Sequence, residues 1–427
     1  PEHTTMNKNF AYQNGILHVE NVSAQQLAQK FGTPFYVYSL TALEDAVQEF
    51  LKVKENHPEG NRLHIAFAVK SLANIAILEF FAKKGLGFDI VSKGELARVL
   101  KAGADTRKVV FSGVGKSEHD IRQALAAGIY CFNVESKEEL LRLNTIAQSF
   151  NKQVPVALRV NPNVDAKTHP YISTGLKENK FGVPIEEALA FYKEAASLSH
   201  IELKGVDCHI GSQLLDPAPV HDAFDLVFEL AEEIEKQICP LSHIDMGGGL
   251  GIAYEQNEQA PSVKDYLTPM LNKLEYKPWQ LVVEPGRRLV GNAGAIITQV
   301  EYLKSNANKH FAVVDCAMND LMRPALYDAF HNIVNVKEKS KAPPQQYDIV
   351  GPICETGDFL GKNRKMAIET GDLLAILSAG AYGSTMASNY NARGRAPEIL
   401  VRGNAHQLIR EREKTDELFA LEKPLKL

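Results

Sequence analysis

The sequence predicts an α/β protein: a (β/α)8 TIM barrel with a second, β-rich C-terminal domain that the N-terminal segment joins. Three observations carry this. Short apolar runs alternate with helical patterns over roughly 250 residues, the span of such a barrel. Polar, chemically capable residues fall at the C-terminal ends of those runs. After Glu284 the helical patterns stop and strand patterns follow one another directly.

The runs expected as barrel strands are 64–68, 87–90, 109–112, 130–134, 154–160, 205–209, 243–246 and 281–284. Between them apolar residues recur at helical spacing over 74–84, 94–102, 118–127, 137–150, 185–197, 220–236 and 263–274. Such alternation implies a parallel sheet with right-handed crossovers. A closed barrel fits better than an open doubly wound sheet because of where the reactive residues fall. Lys70, Asp89, Ser112, Glu135, Asn161, His209, the glycines 247–249 and Glu284 all lie at or just past strand ends, the face on which a barrel builds its active site. Further strands are expected at 295–303, 311–315, 347–350, 373–378, 398–401 and 406–409. The β-prone segment 34–38 precedes the barrel and is expected to pair with that later sheet. The domains are therefore 38–286 for the barrel, and 1–37 plus 287–427 for the β-rich part, with 337–346 a surface loop.

With 45% apolar and 23% charged residues the chain reads as globular. Its net charge of -5, without long runs of one sign, lacks the footprint of a nucleic-acid binder and favours a small-molecule ligand. The longest uncharged stretch, 373–392, is interrupted by glycine, serine, asparagine and tyrosine, so it reads as a strand and loops and not as a membrane span. The five cysteines are odd in number, widely spaced and never paired as C-x-x-C, which points to a reducing compartment. Residues 1–10 hold no apolar core of a signal peptide, and those before Met6 read as an appended remnant ahead of a natural initiator. A cytoplasmic location is expected, and no metal ligand set is evident.

Lys70, in FAVKSLAN, follows an apolar strand, where a partly desolvated amine can form a Schiff base with an aldehyde cofactor. A solvated lysine is the plain alternative. The turn Gly247-Gly248-Gly249-Leu250-Gly251 lets backbone N–H groups approach a phosphate, although tight turns need glycines too. Glu284-Pro285-Gly286-Arg287 places a carboxylate and a guanidinium at the barrel mouth: a surface ion pair, or an acid facing a ring nitrogen beside an anion grip. His209 in HIGSQ offers a ring to stack on a flat cofactor, with the Ser212 hydroxyl within reach of a phosphate, or it is simply a satisfied polar group. In the β-rich region, Gly351-Pro352-Ile353-Cys354-Glu355-Thr356-Gly357-Asp358 sets a thiol between turn residues and acids, unlike a packed core cysteine. Arg323, Tyr327 and Tyr382 add cationic and hydroxyl groups suited to a polar ligand.

The segments FAVKSLAN, HIGSQ, GGGLG, EPGR, MNDLMRPALYDAFH, GPICETGDFLGK and AGAYGSTMASNYN occur in one order, nearly end to end. In this the chain resembles the diaminopimelate decarboxylase family, of the alanine-racemase-like, fold type III class of pyridoxal-phosphate enzymes. The resemblance implies that pyridoxal 5'-phosphate is held by Lys70 as a Schiff base, with His209 stacked on the ring and Glu284 at its nitrogen. Ser212, Gly248, Gly249 and Gly286 would hold the phosphate, and Asp89 would position Lys70. Arg287, Arg323, Tyr327 and Tyr382 match substrate contacts, Arg287 and Tyr382 also touching the cofactor. Cys354 and Glu355 match residues that enter from the partner subunit of a homodimer. Two departures, Cys316-Ala317 where a small pair is common and Phe67 where tyrosine is frequent, remove no chemical group.

The implied reaction is decarboxylation of meso-2,6-diaminopimelate to L-lysine and CO2, with Cys354 returning a proton to the α-carbon. An anionic partner at the ring nitrogen favours this over racemisation, which a cation would suit better. The alternatives are a related decarboxylase acting on ornithine, arginine or carboxynorspermidine, an amino-acid racemase, and a non-catalytic cofactor-binding homologue.

Overall fold

The structure, a computed structural model, describes residues 7–164 and 180–427; the segment read above as an appended remnant lies outside the described residues. The chain divides into two compact units. One holds Val47–Ile252 and Gln259–Arg288; the other holds the N-terminal residues through Ala46, Ala253–Glu258 and Leu289–Leu427. The barrel unit thus begins nine residues after 38 and ends two residues after 286. The segment 253–258 is loop without apolar periodicity, so no local pattern marks its grouping.

In the first unit eight parallel strands close into a barrel: Leu63–Ala68, Gly87–Ile90, Val109–Phe111, Cys131–Val134, Val154–Asn161, Ile201–Asp207, His243–Asp245 and Gln280–Val283. The eighth pairs with the first, Leu281 opposite Leu63, and the fourth with the fifth, Phe132 opposite Val156. Every residue of the second, third and fourth strands is buried. Strands covered on both faces read as continuous apolar runs, which is why they were visible in the sequence. Serines start four of the surrounding helices. Ser92, Ser136 and Ser262 accept from the backbone N–H groups of Glu95, Glu139 and Asp265, and Ser117 forms a reciprocal capping box with Asp120.

The seven expected helices are present, from Ile75–Lys83 to Val263–Lys273. An eighth, Leu40–Asn56, precedes the first strand and was not anticipated, although Leu40, Leu43, Val47, Phe50 and Val53 mark one helical face. Several strands stop one or two residues before their expected ends, so Ser112, His209 and Glu284 lie just past the last paired residues. That places their side chains in the mouth loops.

In the second unit Phe35–Ser39 pairs antiparallel with Gly294–Asn306 and parallel with Glu398–Arg402, so the N-terminal segment joins the C-terminal sheet as expected. The strands Lys309–Val314, Gln345–Val350, Leu373–Ile376 and Ala405–Arg410 occupy the expected places. Residues 345 and 346, expected in a loop, already belong to a strand. The hairpin Phe10–Gln13/Ile16–Val19 and the strand Phe359–Met366 were not anticipated. The uncharged stretch 373–392 is a strand followed by turns, and no helix among the described residues is long and apolar enough to cross a membrane.

Candidate active site

At the C-terminal mouth of the barrel, Lys70 lies in a short 3-10 turn, Val69–Ser71, directly after the first strand. Its ammonium acts electrostatically on Asp89, Glu95, His209 and Glu284, residues from four other segments of the same unit. Asp89, one residue before the end of the second strand, is buried. Burial pushes its carboxyl up, while the Lys70 charge and a hydrogen bond with Ser112 pull it down. Its Oδ1 has no hydrogen-bond partner among the described residues. Glu95, at the start of the next helix, is pushed up to about 7, first by burial and then by the Asp89 charge against the opposing bond from the Val91 N–H.

The glycine turn after the seventh strand is shaped by close approach. Gly247 and Gly249 have φ of +67° and +108°, and a Cβ on Gly248 would stand 2.3 Å from the carbonyl oxygen of Glu284. The Gly248 N–H donates to Nδ1 of His209 at 3.1 Å, so a neutral ring carries its proton on Nε2. Burial, with the Lys70 and Arg159 charges, holds His209 well below the usual imidazole range. Gly286 packs against Ser71, where a Cβ would meet Oγ at 2.9 Å. Arg287, buried, donates from Nη2 to Ser212 Oγ at 2.9 Å.

Glu284 does not stand alone. Asp207, Asp245 and Glu284 are all buried and offer carboxylate oxygens within 4.8 Å of one another. Asp207 and Asp245 face each other in the sixth and seventh strands, and Asp245 Oδ1 accepts from the Gly247 N–H at 2.8 Å. Asp245 and Glu284 act on each other, the contact favouring the proton on Glu284. Burial and then Asp245 raise Glu284 well above the carboxylate range; burial and then Glu284 do the same to Asp207. The anion expected at Glu284 is therefore one member of a proton-holding cluster.

In the β-rich unit, Arg323 and Tyr327 lie on one short helix, Arg323–Tyr327. The Arg323 guanidinium donates to His331 Nε2 at 2.9 Å and lies 4.5 Å from the centre of the Tyr254 ring. His331 is fixed in turn by its Nδ1 on the Leu377 carbonyl. Cys354 and Glu355 sit on an exposed turn, tied by the Cys354 N–H to Asn391 Oδ1 at 3.1 Å. Tyr382 occupies a left-handed conformation, φ 55°, between Gly380 and Gly383. A non-glycine residue held there is strained, which is common where a side chain must be aimed.

The structure thus joins Lys70, Asp89, His209, Ser212, Gly248, Gly249, Glu284, Gly286 and Arg287 in one mouth, and describes Arg323, Tyr327, Cys354, Glu355 and Tyr382 within the other unit. Sequence reasoning missed Glu95, Asp207 and Asp245 as members of the site. Acids closing apolar strands were the available signal for the two aspartates.

A lysine after the first barrel strand, a glycine turn after the seventh and a buried acid after the eighth is the arrangement that the resemblance described above implies. The family pattern for the "Pyridoxal-dependent decarboxylase, pyridoxal binding domain" matches residues 43–291. The diaminopimelate decarboxylases of Pseudomonas aeruginosa and Haemophilus influenzae are each 51% identical to the chain, over 96% and 97% of it and 98% and 99% of their own lengths. The diaminopimelate decarboxylase from M. jannaschii, solved with L-lysine, superposes with a TM-score of 0.93 at 37% identity, covering 99% of both chains. The chain belongs to the diaminopimelate decarboxylase family. The donor set fits the family's cofactor: a primary amine, a neutral imidazole, a glycine turn and a protonatable acid pair meet in one mouth, and the buried Asp89 Oδ1 has no donor among the described residues.

Proposed function

We propose that the protein decarboxylates meso-2,6-diaminopimelate to L-lysine and CO2, the last step of lysine biosynthesis. The observation that carries this is the buried Glu284 carboxyl, within the electrostatic reach of Lys70 in a family of decarboxylases. Pyridoxal phosphate, when bound, supplies the sink for the electron pair left as CO2 departs. Lys70 provides the amine that anchors the cofactor's aldehyde, and Asp89 orients that amine. His209 offers its ring face, and Ser212, Gly248, Gly249 and Gly286 line the phosphate cradle. Glu284, backed by Asp245, holds a proton at the ring nitrogen, where a cationic residue would oppose it.

Cys354 returns the proton to the substrate α-carbon. Arg287 and Arg323 grip the distal carboxylate with planar, two-pronged geometry and Glu355 takes the distal ammonium, while Tyr327 and Tyr382 supply hydroxyls. The exposure of Cys354 and Glu355 in the single chain supports their entry into the site of a partner subunit in a homodimer. All five cysteines are free, in keeping with a cytoplasmic location. The barrel, 38–286 by sequence, acts as the cofactor domain, and 1–37 with 287–427 as its β-rich companion.

Side-by-side assays of CO2 release from meso-diaminopimelate and from ornithine test the reading. Ornithine lacks the distal carboxylate and would forgo its charge-assisted contacts with Arg287 and Arg323, a loss of roughly 2–5 kcal/mol. Equal rates for the two substrates, or full turnover by Lys70→Ala, would defeat it.

A further inference from the structure

A cavity of about 510 Å³ opens at the N-terminal end of the barrel, where the strands begin. It lies at the opposite end of the first, second and eighth strands from Lys70, Asp89 and Glu284. Its charged lining is one-sided. Lys54, Lys84, Arg107, Lys108 and His64 face it, and no aspartate or glutamate is among its lining residues. Arg107 is engaged by Asp105 in a two-pronged pair. Lys54 and Lys108 have no carboxylate partner among the described residues: Lys54 Nζ donates to the Leu63 carbonyl at 2.7 Å and Lys108 Nζ to the Gly85 carbonyl at 3.2 Å.

Both ammonium groups are thus tethered by neutral backbone acceptors beside a concave surface, and the charges oppose each other. Burial and then Lys108 push Lys54 below its usual range, and both lysines add to the burial that lowers His64. Gathering like charges in a recess is unfavourable unless an anion answers them. The walls behind them are apolar, formed by Leu51, Ile65, Ala66, Val110 and Val282.

We propose that this recess is a second ligand site for an organic carboxylate, its head held by Lys54 and Lys108 and its apolar body lying on Leu51, Val110 and Val282. The strands that begin at this site end at the cofactor mouth, so occupancy is placed to influence turnover through the barrel itself. Head and body are both required: cations alone fit a simple anion, and apolar walls alone fit a neutral chain.

Calorimetric titration of the holoenzyme with sodium octanoate, acetate and 1-octanol tests this. Octanoate is expected to bind once per chain, at least about tenfold more tightly than either acetate or 1-octanol. The double variant Lys54→Gln/Lys108→Gln should keep its melting temperature and its turnover without octanoate, and weaken octanoate about tenfold or more. No saturable octanoate binding, acetate or octanol binding equally well, or affinity unchanged in the double variant would each overturn the proposal. None of these results bears on which amino acid is decarboxylated.

Discussion

Nδ1 of His209 accepts a 3.1 Å hydrogen bond from the backbone N–H of Gly248, so the ring closing the sixth strand is locked by the turn that follows the seventh. The same turn is pressed against Glu284, whose carbonyl would lie 2.3 Å from any Cβ at position 248. Ring, turn and acid are one packed object.

Gly248→Ala is therefore expected to damage the site through packing. An overpacked contact of this kind costs about 1–3 kcal/mol. The loss should appear as a lower melting temperature and as pyridoxal phosphate affinity reduced about tenfold or more, read by titrating the visible absorption of cofactor-stripped protein. A variant that melts and loads like the parent would contradict the close approach.

Asp245→Asn should act on Glu284 without touching any ligand. Asparagine keeps the acceptor for the Gly247 N–H but can no longer take Glu284's proton as an anion. The visible band of the loaded protein is expected to shift its pH midpoint, and kcat to fall about tenfold, while KM changes little. An unchanged pH profile would mean that Glu284 acts alone.

Glu95 gives a stability signature of definite sign. Its folded value of about 7 lies above the usual 4.5, so the folded chain binds a proton that the unfolded chain has released. Stability from this group is fully present below about 4.5 and is lost as pH rises through about 7. Relative to wild type, Glu95→Gln should gain of order 1–3 kcal/mol between pH 5 and pH 8 in urea melts of cofactor-free protein. A constant difference across that range would refute the shift.

The proposed sharing of sites between subunits has a mixing test. Lys70→Ala and Cys354→Ala are each expected to be nearly inactive. Equal amounts of the two, unfolded and refolded together, should recover about a quarter of wild-type activity, because half the dimers are mixed and each carries one intact site. No recovery would place Cys354 in the site of its own chain.

Much of the fold was legible because barrel strands are apolar on both faces and helices carry periodic stripes. The hairpin Phe10–Gln13/Ile16–Val19 was legible too and went unread: Asn14-Gly15, with φ of 51° and 77°, is the asparagine-glycine turn that such hairpins favour. The acid cluster is different. Asp207 and Asp245 are 38 residues apart, and only the register between two parallel strands sets them side by side. The pairing of the seventh strand with the eighth, Asp245 opposite Val282, then brings in Glu284. No local pattern encodes a meeting that depends on the register of three neighbouring strands. Tyr382 is a further case, since its left-handed backbone is imposed by its surroundings and not by its residue type.

For anyone redesigning this catalyst, the pairing of Asp207 with Asp245 across neighbouring strands means that the two positions form a single dial. Replacing one by a neutral residue removes a charge that acts on the other carboxyls of the cluster, so libraries that vary them together will reach electronic settings of the cofactor ring that one-at-a-time scanning passes over.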